Sequence, residues 1–270
     1  MNSTSISKVI LEVKKLNLVF HPQTYRNDSL RDQFVRATQN PLKFLLKEPE
    51  RLHVLKNLEF TISQGERVGL LGLNGVGKTS LCRAIAGFYN TGLNIVTVHG
   101  KVRAIFDTTM GIYPELTGRE NAELLAEFMY AEASDRAELV KEALEFSELG
   151  TFLDTPFKNY SNGMQARLCL SLVSARPTDL LILDEVFEGA DLFFKQKISQ
   201  RVLKMIHDSG AVIFVSHDPA QMKEVCNRVL ILNQGELIFD GSPEEGHEIY
   251  KKMDPQSSGQ FQGLSNNSGS

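Results

Sequence analysis

A chain of 270 residues can hold one large or two small domains, and a hydrophobic share of 42% is enough for a core. The net charge of −4 excludes a general nucleic-acid footprint. No apolar run approaches the roughly 18 residues of a membrane span. Residues 1–7 are polar and lack a signal-peptide core, so the chain is expected in the cytoplasm, docked at most on something membrane-bound.

Residues 9–20 predict a first strand. Residues 21–53 break the pattern with His21, Pro22, Tyr25 and Pro41 around two helical pieces, at 30–34 and 42–46. Seven Lys or Arg lie between Arg26 and Lys56, against four Asp or Glu. Basic residues beside Phe34, Leu42, Phe44, Leu45 and Leu46 suit a surface helix near lipid or a partner, or a solvated helix covering the domain edge. Residues 66–71 read as a short buried strand, and residues 80–86 as the first turns of a helix. Between them runs Gly72-Leu73-Asn74-Gly75-Val76-Gly77-Lys78-Thr79, a match to G-x-x-x-x-G-K-[ST] in the strand–loop–helix context that the pattern requires. Thr117-Gly118-Arg119-Glu120 is a capping box that opens a helix through about residue 130. Ser134 opens a second helix that stops before Gly150. Residues 111–175 are thus mostly helical, with a sharp interruption at 159–164. The apolar run 180–183 predicts a strand buried on both faces. A helix at 191–209, a buried strand at 211–215, a short helix at 219–226 and a hairpin turning at Gln234-Gly235 follow. A last helix runs through about residue 252, and residues 253–270 form a Ser/Gly/Asn/Gln-rich tail expected to be disordered. The plan is an α/β core with a helical insertion between the loop helix and the next buried strand. Cys82, Cys169 and Cys226 are few, odd in number and far apart, which favours buried, inert thiols over disulfides or zinc.

The glycines of the loop let backbone N–H groups converge on phosphate oxygens at the positive end of the following helix. Asn74, Gly75, Val76, Gly77, Lys78, Thr79 and Ser80 form this candidate cradle. Lys78 supplies a mobile charge for the outer phosphates, and Thr79 a hydroxyl for Mg²⁺. The strand 180–183 ends in Asp184, placed to hold Mg²⁺, and Glu185, placed to polarise the attacking water. His217 follows the strand 211–215 at the same predicted sheet edge, where a γ-phosphate contact is expected. Ser161 N-caps a helix in Tyr160-Ser161-Asn162-Gly163-Met164, and Gly163 allows close backbone approach, so a second helix N-terminus is suited to an anion.

The order of phosphate loop, Ser-x-Gly helix start, acidic strand end and strand-end His resembles the ATPase subunits of ABC transporters over roughly residues 9–252. Tyr160-Ser161-Asn162-Gly163-Met164 resembles the YSxGM form of the ABC signature found in exporters of O-antigen, capsule and teichoic acid. The stretch 115–121 and Asp184-Glu185-Val186 are similar to the same subfamily. The resemblance implies a P-loop NTPase fold of the ABC nucleotide-binding type. Its parts are a RecA-like parallel-sheet core, an N-terminal antiparallel β portion and a helical subdomain at about 111–175, in one ATP-binding domain at 1–252. The 21–53 segment resembles an extra helix near the transport channel. Asp107 takes the Q-loop position as a metal ligand, one methylene shorter than the Glu common there, and Asp191 takes the D-loop position. Phe20, with Tyr25 as rival, takes the adenine-stacking place. Ser161 would face the ATP of the opposite subunit in a homodimer. The implied activity is MgATP hydrolysis that powers export of a lipid-linked polysaccharide through a separate polytopic permease. The subunit would then lie peripherally on the cytoplasmic face of the inner membrane. A soluble ABC ATPase acting on nucleic acid or ribosomes is the alternative; a single cassette of net negative charge argues against it, and no nucleic-acid partner is expected.

Overall fold

The apolar runs of the sequence become the inner strands of one sheet in the computed structural model, which describes residues 8–20, 51–107, 111–184, 192–215, 222–223 and 225–253. The strands are β1 (Val9–Phe20), β2 (Leu52–Ser63), β3 (Arg67–Leu71), β4 (Val96–Val98), β5 (Val102–Ile105), β6 (Leu180–Asp184), β7 (Ala211–Val215), β8 (Arg228–Asn233) and β9 (Glu236–Gly241). The helices are α1 (Lys78–Ile85), α2 (Gly118–Met129), α3 (Arg136–Ser147), α4 (Asn162–Val173), α5 (Leu192–Ser209) and α6 (Pro243–Met253).

Six strands form a sheet in the order β5-β6-β7-β3-β8-β9, parallel except for β9. Alternate side chains of a strand point to opposite faces. Leu180 and Ile182 accordingly enter one hydrophobic cluster with α1 and the β1–β2 pair, while Leu181 and Leu183 enter another with α4, α5 and α6. Burial on both faces explains why β6 and β7 read as unbroken apolar runs. A second, antiparallel sheet has the order β2-β1-β4. Phe20 pairs with Leu52 and Val19 with His53, so residues 52 and 53 belong to β2 rather than to the predicted insertion. Residues 21–50, with Tyr25 and both helical pieces, lie outside the described residues, as do residues 254–270.

The third layer, α2, α3 and α4, has its own cluster, which includes Leu125, Leu139, Phe157, Tyr160, Leu168 and Leu172. Thr117 opens α2 with the predicted capping box. Two expectations shift here. Ser134 does not open α3; Asp135 occupies the N-cap, and its carboxylate accepts from Arg176 instead of from the helix. The break before α4 is longer and earlier than residues 159–164. The chain makes 3₁₀ turns at Gly150–Asp154 and Phe157–Asn159, and Met164 already lies inside α4. The Tyr160 hydroxyl donates to Phe152 O at 2.8 Å, and the Phe157 and Tyr160 rings pack at 5.0 Å, so tertiary contacts hold the connector in this form.

Candidate functional site

The phosphate loop leaves β3 and turns into α1. Gly77 is the N-cap of α1 at φ 106, a conformation that side-chain-bearing residues rarely hold. A Cβ there would meet Leu55 Cδ2 at 2.8 Å and the Val54 carbonyl at 3.0 Å, so β2 backs the loop closely. Gly75, at φ 81, faces open space. Because Gly77 has no side chain, the first N–H groups of α1 receive no side-chain cap, and the opening turn carries no acid. Those amides suit an anionic ligand. Lys78 is 6% exposed, and its ammonium donates to Gly72 O at 2.7 Å and to Leu73 O at 3.3 Å, folding over the loop. Asn74 is exposed, while Val76, Thr79 and Ser80 are half-buried.

Sheet register sets the second half of the site. Leu70 is level with Val215, and Val215 is level with Asp184, so the loop, the end of β7 and the end of β6 share one sheet edge. Asp184 is buried at that edge. Cys82, one turn along α1 from Lys78, registers both charges. Burial foremost, then Asp184, pushes its thiol well above the ordinary range, while Lys78 pulls it down. A hydroxyl (Thr79) and a carboxylate (Asp184) are hard oxygen donors that suit Mg²⁺, which typically takes one or two protein ligands plus phosphate oxygens. Among the described residues no cluster of three His, Cys, Asp or Glu could hold a metal by itself. Glu185, Asp191 and His217 lie outside the described residues.

The third part is the start of α4. The Ser161 hydroxyl accepts from Met164 N at 3.3 Å as its N-cap, and Ser161 is exposed with Gly163 half-exposed beside it.

The sequence profile of the family described as ABC transporter matches residues 55–188. The O-antigen export system ATP-binding protein RfbB of Klebsiella pneumoniae is 34% identical over 87% of this chain and 89% of its own length. The chain belongs to the ABC transporter family. RfbE of Yersinia enterocolitica, another O-antigen export system ATP-binding protein, is 32% identical to the cassette, which covers 96% of that protein. The teichoic acids export ATP-binding protein TagH of Lactococcus lactis is 34% identical, and the match covers 81% of the cassette and 47% of TagH. Two solved structures share its fold. One is a dimeric ATP-binding cassette in a post-hydrolysis state bound to ADP and Pi (TM-score 0.68, 21% identity, 87% of this chain and 99% of that one). The other is an ATP-binding subunit of an ABC transporter (TM-score 0.65, 22% identity, 89% and 93%).

The remaining predicted residues of the cassette are less gathered. Phe20 ends β1 half-buried, its ring edge-to-face with Tyr89 at 5.4 Å. Tyr89 has no motif to announce it. Asp107 lies exposed just beyond β5, at the same sheet edge, since Ile105 is level with Leu183. Its charge adds to the burial that pushes the Cys169 thiol to about 12. A groove of about 630 Å³ lined by Arg119, Val140 and Leu144 opens on α2 and α3 and includes no residue of the phosphate loop. Val54 and Leu55, the wall behind the loop, carry no local sequence signal, because that contact joins β2 to a motif more than twenty residues away. Among the described residues no helix is long and apolar enough to cross a membrane.

Proposed function

We propose that this cassette binds and hydrolyses MgATP and thereby powers export of a lipid-linked polysaccharide through a separate membrane-spanning permease. One observation carries the reading: an uncapped helix N-terminus with a buried lysine folded over its loop shares a sheet edge with a buried aspartate. The loop amides from Asn74 to Ser80 and the Lys78 ammonium would hold the phosphates, and Thr79 and Asp184 would hold Mg²⁺, with Asp107 at the same sheet edge. The ion, when bound, offsets phosphate charge. Glu185, next to Asp184 in the sequence, would polarise the attacking water, and His217 would contact the γ-phosphate. Phe20 or Tyr25 supports the base.

The polysaccharide assignment rests on the export-system names of RfbB, RfbE and TagH. The working form is a homodimer in which Ser161, Gly163 and Asp191 of one subunit complete the site of the other, in keeping with the dimeric cassette that shares the fold. Residues 1–252 form the ATP-binding domain, with a helical subdomain at about 111–175, and the subunit sits on the cytoplasmic face of the inner membrane. The test is steady-state MgATP turnover by the purified chain and by Glu185→Gln. The variant should bind ATP, stay dimeric and lose hydrolysis. Near-normal turnover by Glu185→Gln refutes the base assignment.

A further inference from the structure

Outside the phosphate site, charged side chains concentrate where α3 and α4 meet α5. Phe194, Lys197 and Arg201 recur at i, i+3 and i+7 on α5, one face of the helix. Both cations address one ring: Lys197 Nζ lies 4.3 Å and Arg201 Cζ 4.1 Å from the centre of Phe146, near the end of α3. The arrangement is reciprocated. Arg167 of α4 lies 4.9 Å over the Phe194 ring of α5, and Phe194 meets Phe146 edge-on at 6.0 Å. Lys197 also donates to Phe146 O at 2.9 Å.

Glu148 closes the cluster. Its carboxylate pairs with Lys197 and lies 3.7 Å from Arg167. It does so from the C-cap of α3 at φ 56, a left-handed position that glycine or asparagine would take at lower cost. A glutamate kept in that conformation, with its carboxylate between two cations of different helices, points to a role for the side chain rather than for the turn. The far end of α4 is held by guanidinium-to-carbonyl hydrogen bonds from residues outside the three-helix layer. Arg201 Nε donates to Ser174 O at 3.0 Å, and Arg103 of β5 donates to Val173 O at 3.1 Å and Arg176 O at 2.6 Å.

We propose that Phe146, Glu148, Arg167, Lys197 and Arg201 are positioning residues: a cation–aromatic clasp that fixes the helix headed by Ser161 against α5, the helix that follows the Asp184 strand end in the chain. The clasp rests on the ATPase reading above. Its function is to hold the Ser161 helix start in register with the strand-end Asp184, so its loss weakens turnover without touching the phosphate loop. An arginine guanidinium can lie over an aromatic face as a lysine ammonium does, so exchanging one cation for the other keeps what removing the charge takes away.

The experiment uses the full chain with substitutions Glu148→Gly, Lys197→Met and Lys197→Arg. It measures kcat for MgATP, affinity for a fluorescent ATP analogue, and Tm. Glycine relieves the left-handed backbone, so Glu148→Gly should melt no lower than wild type. Its kcat, and that of Lys197→Met, should fall between about tenfold and a hundredfold, as for a misplacement of about 1 Å. Analogue affinity should stay within about twofold, because the phosphate loop is unchanged. Lys197→Arg should recover most of the turnover. If wild type turns over and Glu148→Gly matches it, the clasp is wrong. If kcat losses follow Tm losses and Lys197→Arg is no better than Lys197→Met, the cluster only stabilises the fold and the proposal also fails. A wild type without turnover overturns the ATPase reading, and the clasp's role with it.

Discussion

Gly77→Ala and Gly75→Ala place the same methyl group two residues apart in the phosphate loop, and the structure predicts unequal costs. Both positions have positive φ, 106 and 81, so each substitution carries a backbone penalty of about 1–2 kcal/mol. At Gly75 nothing lies within 4 Å of the added Cβ, and the penalty ends there. At Gly77 the Cβ would meet Leu55 Cδ2 at 2.8 Å and Val54 O at 3.0 Å. The leucine methyl can rotate, but the Val54 carbonyl is backbone of β2, at a register shift between the Leu55 and His53 pairs, and can move only with the strand. Overpacking of this kind adds about 1–3 kcal/mol, for a total of about 2–5 kcal/mol at Gly77. Urea unfolding without nucleotide measures the difference as a change in midpoint at constant slope. Thermal unfolding should place Gly77→Ala at least about 2–4 °C below Gly75→Ala. Equal destabilisation by the two alanines would refute the claim that β2 forms the wall of the loop.

Other expectations concern the thiols and the caps. Burial, chiefly, pushes the Cys169 and Cys226 thiols to about 12 and Cys82 well upward, whereas an unfolded thiol ionises near 8.5. The folded state therefore keeps protons that the unfolded state loses. The stabilisation is complete below about pH 8.5 and is lost as pH rises toward the folded values, with a slope approaching about 1.4 kcal/mol per pH unit per thiol. A Cys169→Ala/Cys226→Ala variant should lose less Tm than wild type between pH 8 and 10.5; parallel slopes would contradict this. Thr117→Ala removes the acceptor of Glu120 N and should cost about 1 kcal/mol in chemical denaturation, whereas an unchanged midpoint would show that the capping box contributes nothing.

Local chemistry accounts for what could be read from the sequence. Residues 180–183 announce a doubly buried strand because every side chain there lands in one of two cores. Thr117 and Glu120 announce a helix start because both capping bonds span three residues. The phosphate loop is legible for the same reason. The start of α3 falls at Asp135 rather than at the expected Ser134, where long-range ion pairs act: Arg176 reaches back to Asp135 and Glu142 across more than thirty residues. The connector before α4 depends on Tyr160 bonding Phe152 and stacking on Phe157, and 3₁₀ turns leave no helical period to detect. Phe20 and Tyr89 meet only once β1 lies against α1, and Phe146 and Arg201 only once α3 lies against α5. The glycine-loop and strand-end motifs name the chemistry, whereas the packing that orients them is written in contacts too distant for any sequence window.

Titration calorimetry of the purified chain with ATP, with and without magnesium, tests most directly whether the loop and Asp184 form one nucleotide site. Wild type should bind saturably and more tightly with the ion. Lys78→Ala should lose most of the affinity, and Asp184→Asn should lose the magnesium dependence. Absence of binding by wild type, or affinity indifferent to both substitutions, would contradict the account.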